Sequence, residues 1–285
     1  MEIATQLVTY GILMGCIFAF VSLGLSLIFG VMNIVNFAHG EFMMVGMYVT
    51  FLISSYLRLD PLVSLPFAGA LGFILGVISY RFLITHILRG PMVAQLFGTF
   101  GLMLFLRYLV MFIFGPDVRT ISHGLLVGKT ISFGWVSLDA SKVITAGACV
   151  LFFGFIYWMI NRTKLGRALR ATSLDTEAAR YMGIDTERMN ALAWGIGGAT
   201  VGVAGGLLAH FYYVTPTVGM LFILIAFATV ALGGFGSITG AFLAGIIIGL
   251  IQGLGGHYLS ELKFTFIYAA YFLTVVLRPR GLFGW

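Results

Sequence analysis

Nine consecutive residues, Asn33-Ile34-Val35-Asn36-Phe37-Ala38-His39-Gly40-Glu41, gather two amides, an imidazole and a carboxylate in a chain otherwise poor in polar side chains. Such groups can exchange hydrogen bonds with a polar solute or close off the free backbone groups of a helix end. At a membrane boundary each is costly unless satisfied. Two readings therefore stand side by side. Asn36 or His39 caps the helix that follows, or Asn33, Asn36, His39 and Glu41 line a path. A segment that re-enters the bilayer satisfies both.

A second cluster, Leu232-Gly233-Gly234-Phe235-Gly236-Ser237-Ile238-Thr239-Gly240, holds four glycines within eight residues. Positive φ angles and close backbone approach suit a tight re-entrant turn or a helix crossing, which makes Gly233, Gly234, Gly236 and Ser237 further path candidates. Gly240, Gly245 and Gly249, with Ala241 and Ala244, continue as a small-residue face whose spacing points to helix packing. The third cluster is a polar island from Thr163 to Gly183. Ser173 or Asp175 can cap a short helix there, ended by Gly183. Leu174, Ala178 and Tyr181 recur at helical spacing and make one apolar face, smooth at Ala178-Ala179, with Arg167, Arg170 and Arg180 around it. A docking helix for a soluble partner is favoured over a solvated connector.

The remaining polar groups exclude more than they propose. Glu41 and Arg107 are the charges expected inside spans; a pump or proton antiporter ordinarily carries more. Counting places Glu41 near the inner end of the second span and Arg107 in the outer third of the fourth. The two are thus expected not to pair, with Arg107 snorkelling outward. His86, His123, His210 and His257 fall at span ends or in loops without a paired metal spacing, and interfacial solvation accounts for them. Gly124-Leu125-Leu126-Val127-Gly128-Lys129-Thr130 has three residues between its glycines where a phosphate loop needs four, and reads as a turn. Cys16 and Cys149 fall in spans as small apolar fillers.

The elements that position these clusters must be membrane helices. Hydrophobic residues make up 60% of the 285 and charged residues 9%, with a mean hydropathy of +1.05. A helix needs about 20 apolar residues to cross the hydrocarbon. Nine candidates result, near 7–29, 41–57, 62–86, 92–114, 142–161, 189–211, 218–233, 239–256 and 263–278, the seventh and ninth being short. The expected fold class is an all-α polytopic membrane protein of about nine transmembrane helices (eight to ten) in a single domain, 1–285. It has an extracytoplasmic loop at 115–141 and a cytoplasmic loop at 162–188.

Basic residues resist translocation and set the orientation. With 162–188 inside, that side holds Arg81, Arg89, Arg162, Lys164, Arg167, Arg170, Arg180, Arg188, Arg278 and Arg280, against Arg58, Arg119, Lys129, Lys142 and Lys263 outside. The N-terminus is then outside and the C-terminus cytoplasmic. The first span, preceded by Glu2 and long, does not read as a cleaved signal. The pI near 9.4 reflects this topology, and no nucleic-acid partner is inferred from it.

Together the three clusters resemble the permease subunits of branched-chain amino-acid ABC importers, of the LivH-like kind. The resemblance runs nearly end to end. It is most specific in Asn36-Phe37-Ala38-His39-Gly40-Glu41-Phe42, then in Gly233-Gly234-Phe235-Gly236-Ser237-Ile238-Thr239-Gly240 and Leu165-Gly166-Arg167-Ala168-Leu169-Arg170-Ala171. Glu177-Ala178-Ala179 with Gly183 resembles the E-A-A-x-x-x-G loop by which importer permeases meet their ATPases. The resemblance implies a bacterial inner-membrane location and a partner list. That list is a second related permease, two ABC ATPase subunits and an extracytoplasmic solute-binding protein, besides the lipid bilayer itself. ATP would be bound by the partners, with no cofactor in this chain.

The coupling helix would then use Arg167, Arg170, Leu174, Asp175, Glu177, Ala178, Ala179, Tyr181 and Gly183. By analogy the bundle would be an inverted repeat, spans one to four echoed by six to nine. A shift of 179 residues places Gly40 on Gly219 and aligns Asn36–Gly40 with Thr215–Gly219, adding Thr215 to the path candidates. The function implied is uptake of branched-chain or related amino acids. A urea or short-chain amide permease, or a self-sufficient channel or ion-coupled carrier, is the alternative.

Overall fold

The computed structural model describes residues 2–88, 90–133, 136–258 and 262–283. Arg89, counted above toward the orientation, lies outside the described residues, as does the side chain of His257. In chain order the elements are α1 (Glu2–Met32), α2 (His39–Leu57), α3 (Pro61–Ile87) and α4 (Met92–Phe114). A hairpin follows, β1 (Thr130–Phe133) and β2 (Val136–Asp139), then α5 (Ala140–Arg162), α6 (Lys164–Leu174) and α7 (Thr176–Tyr181). The chain continues with α8 (Thr186–Leu208), α9 (Val218–Gly233), α10 (Ile238–Tyr258) and α11 (Lys263–Leu277).

Seven of these helices, α1 to α5, α8 and α10, are long and apolar enough to cross a membrane; α9 and α11 are apolar but shorter. The short pair coincides with the two segments whose apolar runs were shortest in the sequence. Burial separates the long helices into two kinds. Of the most apolar window, 78% of α1 and 83% of α8 is buried, against 28% of α4 and of α5. Hence α1 and α8 form the centre, and α4 and α5 turn their apolar residues outward, including Phe97, Phe105, Phe112, Leu151 and Phe155.

Without a hydrophobic drive between helices in lipid, close packing requires small residues. α1 lies along α10 where Gly11, Gly15 and Ala19 face Gly249 and Gly245; a Cβ on Gly15 would stand 2.7 Å from the Cα of Ile246. α3 lies along α8 in the same manner, Gly72 against Gly198 and Gly76 against Trp194. The Gly245 and Gly249 face is therefore a packing seam, as its spacing suggested.

The segment 115–139 contains more order than a loop with a turn. Its hairpin pairs Thr130 with Asp139 and Phe133 with Val136. The glycines of the phosphate-loop imitation take positive φ, 150° at Gly124 and 72° at Gly128, and the Lys129 carbonyl accepts from Ala140 N–H at 2.8 Å. That run is the turn leading into β1, tied through Lys129 to the start of α5. Asp60 fastens it to the bundle, one oxygen accepting from Leu62 N–H at 2.9 Å and the other from Leu125 N–H at 2.7 Å.

Candidate functional site

α1 ends because Asn33 adopts a left-handed backbone, φ 54°, with its N–H still bonded to Phe29 O at 2.7 Å. The chain then runs non-helically to Ala38. Asn33 is exposed, whereas Asn36, His39 and Glu41 are all fully buried. Neither Asn36 nor His39 caps α2: the cap position is Ala38, without a side-chain bond. The Asn36 carboxamide oxygen instead accepts from Ala38 N–H at 3.0 Å, bracing the turn before the helix. His39 is already inside α2, its Nε2 3.0 Å from Val21 O of α1. Asn36 Nδ2 and His39 Nδ1 have no partner among the described residues.

Glu41 and Arg107 do pair, against the expectation from depth. Arg107 Nη2 donates to Glu41 Oε1 at 2.5 Å and Nε to the same oxygen at 3.2 Å. The reason is the path of residues 33–41, which climb along α4. Thr99 Oγ1 donates to Val35 O at 3.1 Å, and two turns further on Arg107 meets Glu41. Eight helical residues rise about 12 Å, so α2 begins deep inside the bundle and not at its inner end. Arg107 is 9% exposed and does not snorkel.

The start of α9 meets the start of α2 at this depth. Gly40 and Gly219 are in mutual backbone contact, and a Cβ on Gly219 would stand 3.0 Å from Glu41 Cδ. Thr215, 7% exposed, lies four residues before Gly219 in the turn leading to α9, and its carbonyl accepts from Val218 N–H at 3.2 Å. The same turn holds His210, which is 4% exposed with Nδ1 3.1 Å from Gly206 O. Interfacial solvation therefore does not account for His210. Its burial follows from the turn being tucked in, tied to the segment 115–139 by paired backbone bonds between Arg119 and Val214.

The glycine cluster forms a tight turn between α9 and α10. Gly234 and Gly236 take φ of 97° and 79°, Gly233 abuts Gly240, and Ser237 Oγ accepts from Gly240 N–H at 3.1 Å. Gly236 also touches Gly30 of α1. A cleft of about 710 Å³ opens here, lined by Ser26 and Gly30, by Gly236 and Ser237, and by Arg170 and Leu174 of the polar island. Thus the second and third clusters share one cleft. Asn36, His39 and Glu41 do not line it.

The polar island is two helices. Thr163 Oγ1 accepts from Gly166 N–H at 3.2 Å and starts α6, which the sequence reading had not separated. Asp175, and not Ser173, caps α7, its Oδ1 accepting from Glu177 and Ala178 N–H at 2.9 Å each. Gly183, φ 81°, ends that helix, with Ile184 N–H returning to Ala179 O at 3.0 Å. Leu174, Tyr181 and Met182 are 82%, 88% and 82% exposed. Ala178 is exposed beside them, but Ala179 is buried at 4%, so the two alanines do not share a face. Arg167, Glu177 and Arg170 are exposed, Arg170 bonding Asn161 Oδ1 at 2.5 Å. Met182 was missed, although its place one residue after Tyr181 was a usable signal.

Long apolar helices packed through glycines, a buried polar cluster at their centre and a capped, apolar-faced pair of short polar helices define a multi-pass membrane permease. The chain belongs to the family described as the permease component of the branched-chain amino acid transport system, which it matches over residues 7–277. It is 32% identical over 290 residues to the LivH permease protein of the high-affinity branched-chain amino acid transport system of Salmonella typhimurium, covering 96% of this chain and 93% of that one. A probable branched-chain amino acid transport permease protein of Methanocaldococcus jannaschii is 34% identical over 250 residues, 84% of this chain and 77% of that one. Among solved structures, a chain of PsaBC from Streptococcus pneumoniae in complex with Fab shares the fold at a TM-score of 0.50 and 12% identity, over 95% of this chain and 92% of that one. The protein is thus a multi-pass permease of the inner membrane.

Proposed function

We propose that this chain is the membrane-spanning subunit of an ABC importer that carries branched-chain or related amino acids inward, powered by ATPase subunits that dock on α7. The exposed apolar patch carries the reading. Leu174, Tyr181 and Met182, each more than four-fifths exposed, flank and end α7, a helix that is capped at both ends yet has no core of its own. A water-facing patch of this kind on a short rigid helix is a protein contact. Relatives named as branched-chain amino acid permeases, similar along nearly the whole chain, support the substrate class.

The complete importer then holds a second related permease, two ATPases and an extracytoplasmic solute-binding protein, with ATP bound by the ATPases and no cofactor here. α9 and α11 complete nine spans in this reading. The N-terminus lies outside and the C-terminus in the cytoplasm. α1 to α4 and α8 to α11 are then two inverted copies, and the packing supports this. Exchange of the copies turns the α1 seam on α10 into the α8 seam on α3, and Gly40 into its contact partner Gly219. Corresponding helices are five places apart in the order of spans, an odd number that inverts one copy relative to the other. Asn36, His39, Glu41 and Thr215 sit at the junction of the copies. Gly233, Gly234, Gly236 and Ser237 form its cytoplasmic closure.

The test is Ala178→Trp. Ala178 is exposed, so the ring is accommodated in the free chain and obstructs only a docked partner; Ala179 is left alone because it is buried. ATP-driven leucine uptake in vesicles of the assembled importer should fall at least tenfold, with membrane content of the chain unchanged. Wild-type uptake would remove the docking role. Uptake that unlabelled urea inhibits and leucine does not would reassign the cargo.

A further inference from the structure

The link between Glu41 and Arg107 is built differently from one that merely fastens helices. A fork using both carboxylate oxygens is the strong, geometrically fixed form of this pair. Here Nε and Nη2 both go to Oε1, while Oε2 is buried without a partner among the described residues. Among those residues Nη1 meets the Met220 thioether, at 3.8 Å. Half of the carboxylate is therefore held, in surroundings where a free polar atom is costly.

The pair also stands at a particular junction. Glu41 belongs to the first turn of α2, Met220 to the first turn of α9, and Arg107 to α4 beside them. The Gly40 and Gly219 contact adjoins it. Glu41 is fully buried while Met220, which Arg107 Nη1 touches, is 51% exposed, so the pair lies just beneath the surface that Met220 covers.

We propose that Glu41 and Arg107 form a state-dependent latch between α2 and α4, closed in the conformation seen here and opened when the start of α2 moves away from α4. They act as positioning residues, holding the start of α2 on α4 without touching solute. This rests on the permease reading given above. It adds a specific requirement: uptake per ATP depends on direct contact between the opposite charges at positions 41 and 107.

The experiment uses the assembled importer in vesicles and measures leucine taken up per ATP hydrolysed. E41Q keeps the shape and loses the charge, and uptake should fall at least tenfold. The apolar pair E41L/R107M removes both charges. A buried ion pair replaced by apolar side chains is commonly tolerated in folding, so this variant should insert and hydrolyse ATP while uptake per ATP falls at least tenfold. Wild-type coupling in E41L/R107M overturns the latch, because the pair then only fills space. If that variant does not insert, E41D decides: it keeps the charge but draws the carboxylate back by one methylene. A tenfold loss of coupling in inserted E41D supports the latch, and wild-type coupling overturns it. Absence of ATP-driven uptake in the wild-type complex would instead refute the permease reading, so the two failures are distinguishable.

Discussion

Gly40 shows how a single position can be fixed by its neighbour's backbone. A Cβ there would lie 2.9 Å from the Gly219 carbonyl carbon and 3.0 Å from Ile223 Cβ, and a carbonyl in a helix cannot swing aside as a side chain can. Gly40→Ala should therefore push α2 from α9 and lower uptake at least tenfold. Gly101→Ala, where an added Cβ meets nothing within 4 Å, should leave uptake within twofold. Equal uptake by the two variants would show that the contact has no part in transport. The importance of Gly40 was legible in sequence as a member of a motif and as the residue that a 179-residue shift places on Gly219. The meeting of Glu41 with Arg107 was not legible at all, because counting residues from a span end assumes helical rise. Residues 33–38 climb without being helical, and nothing in Asn36-Phe37-Ala38 announces how far.

At the scale of the element, α7 has six residues, too few to be stable by propensity. It persists through its ends. Asp175 supplies one oxygen to two N–H groups, and loss of such a cap costs about 1 kcal/mol, roughly a fivefold change in the helix population. Asp175→Ala should thus speed hydrogen exchange at the Glu177 and Ala178 amides about fivefold and lower uptake several-fold. Asp175→Asn, which retains an accepting oxygen, should stay near wild type. Unchanged exchange in the alanine variant would mean that packing, and not the cap, holds α7. The cap and the Gly183 stop were readable because both are local. The separate helix α6 was not drawn, although Thr163 before Gly166 and the spacing of Leu165 and Leu169 were there to read. Its form depends on Gly166 lying against the Ile160 carbonyl of α5, a tertiary contact. The hairpin of β1 and β2 escaped for a similar reason, since a four-residue strand pair leaves little alternation to see.

For the whole molecule, sequence carried most of the architecture because the bilayer leaves few choices: a segment either satisfies its own backbone or stays out of the hydrocarbon. The apolar runs therefore marked the helices to within a few residues, including the short α9 and α11. Orientation rests on a different quantity, the ten basic residues against five, and it can be tested without any transport assay. Leu125 in the segment 115–139 is 65% exposed and Tyr181 on α7 is 88% exposed, with only α5 between them as a span. With Cys16 and Cys149 replaced, L125C should react with a membrane-impermeant maleimide in intact cells, and Y181C only after permeabilisation. The reverse pattern would invert the molecule and place α7 beyond the reach of any cytoplasmic ATPase. Labelling of both from one side would mean that α5 does not cross. The expected pattern puts the capped helix and the glycine turn, which share one cleft, on the side where ATP is present, and leaves the 209–217 turn to receive solute from the other.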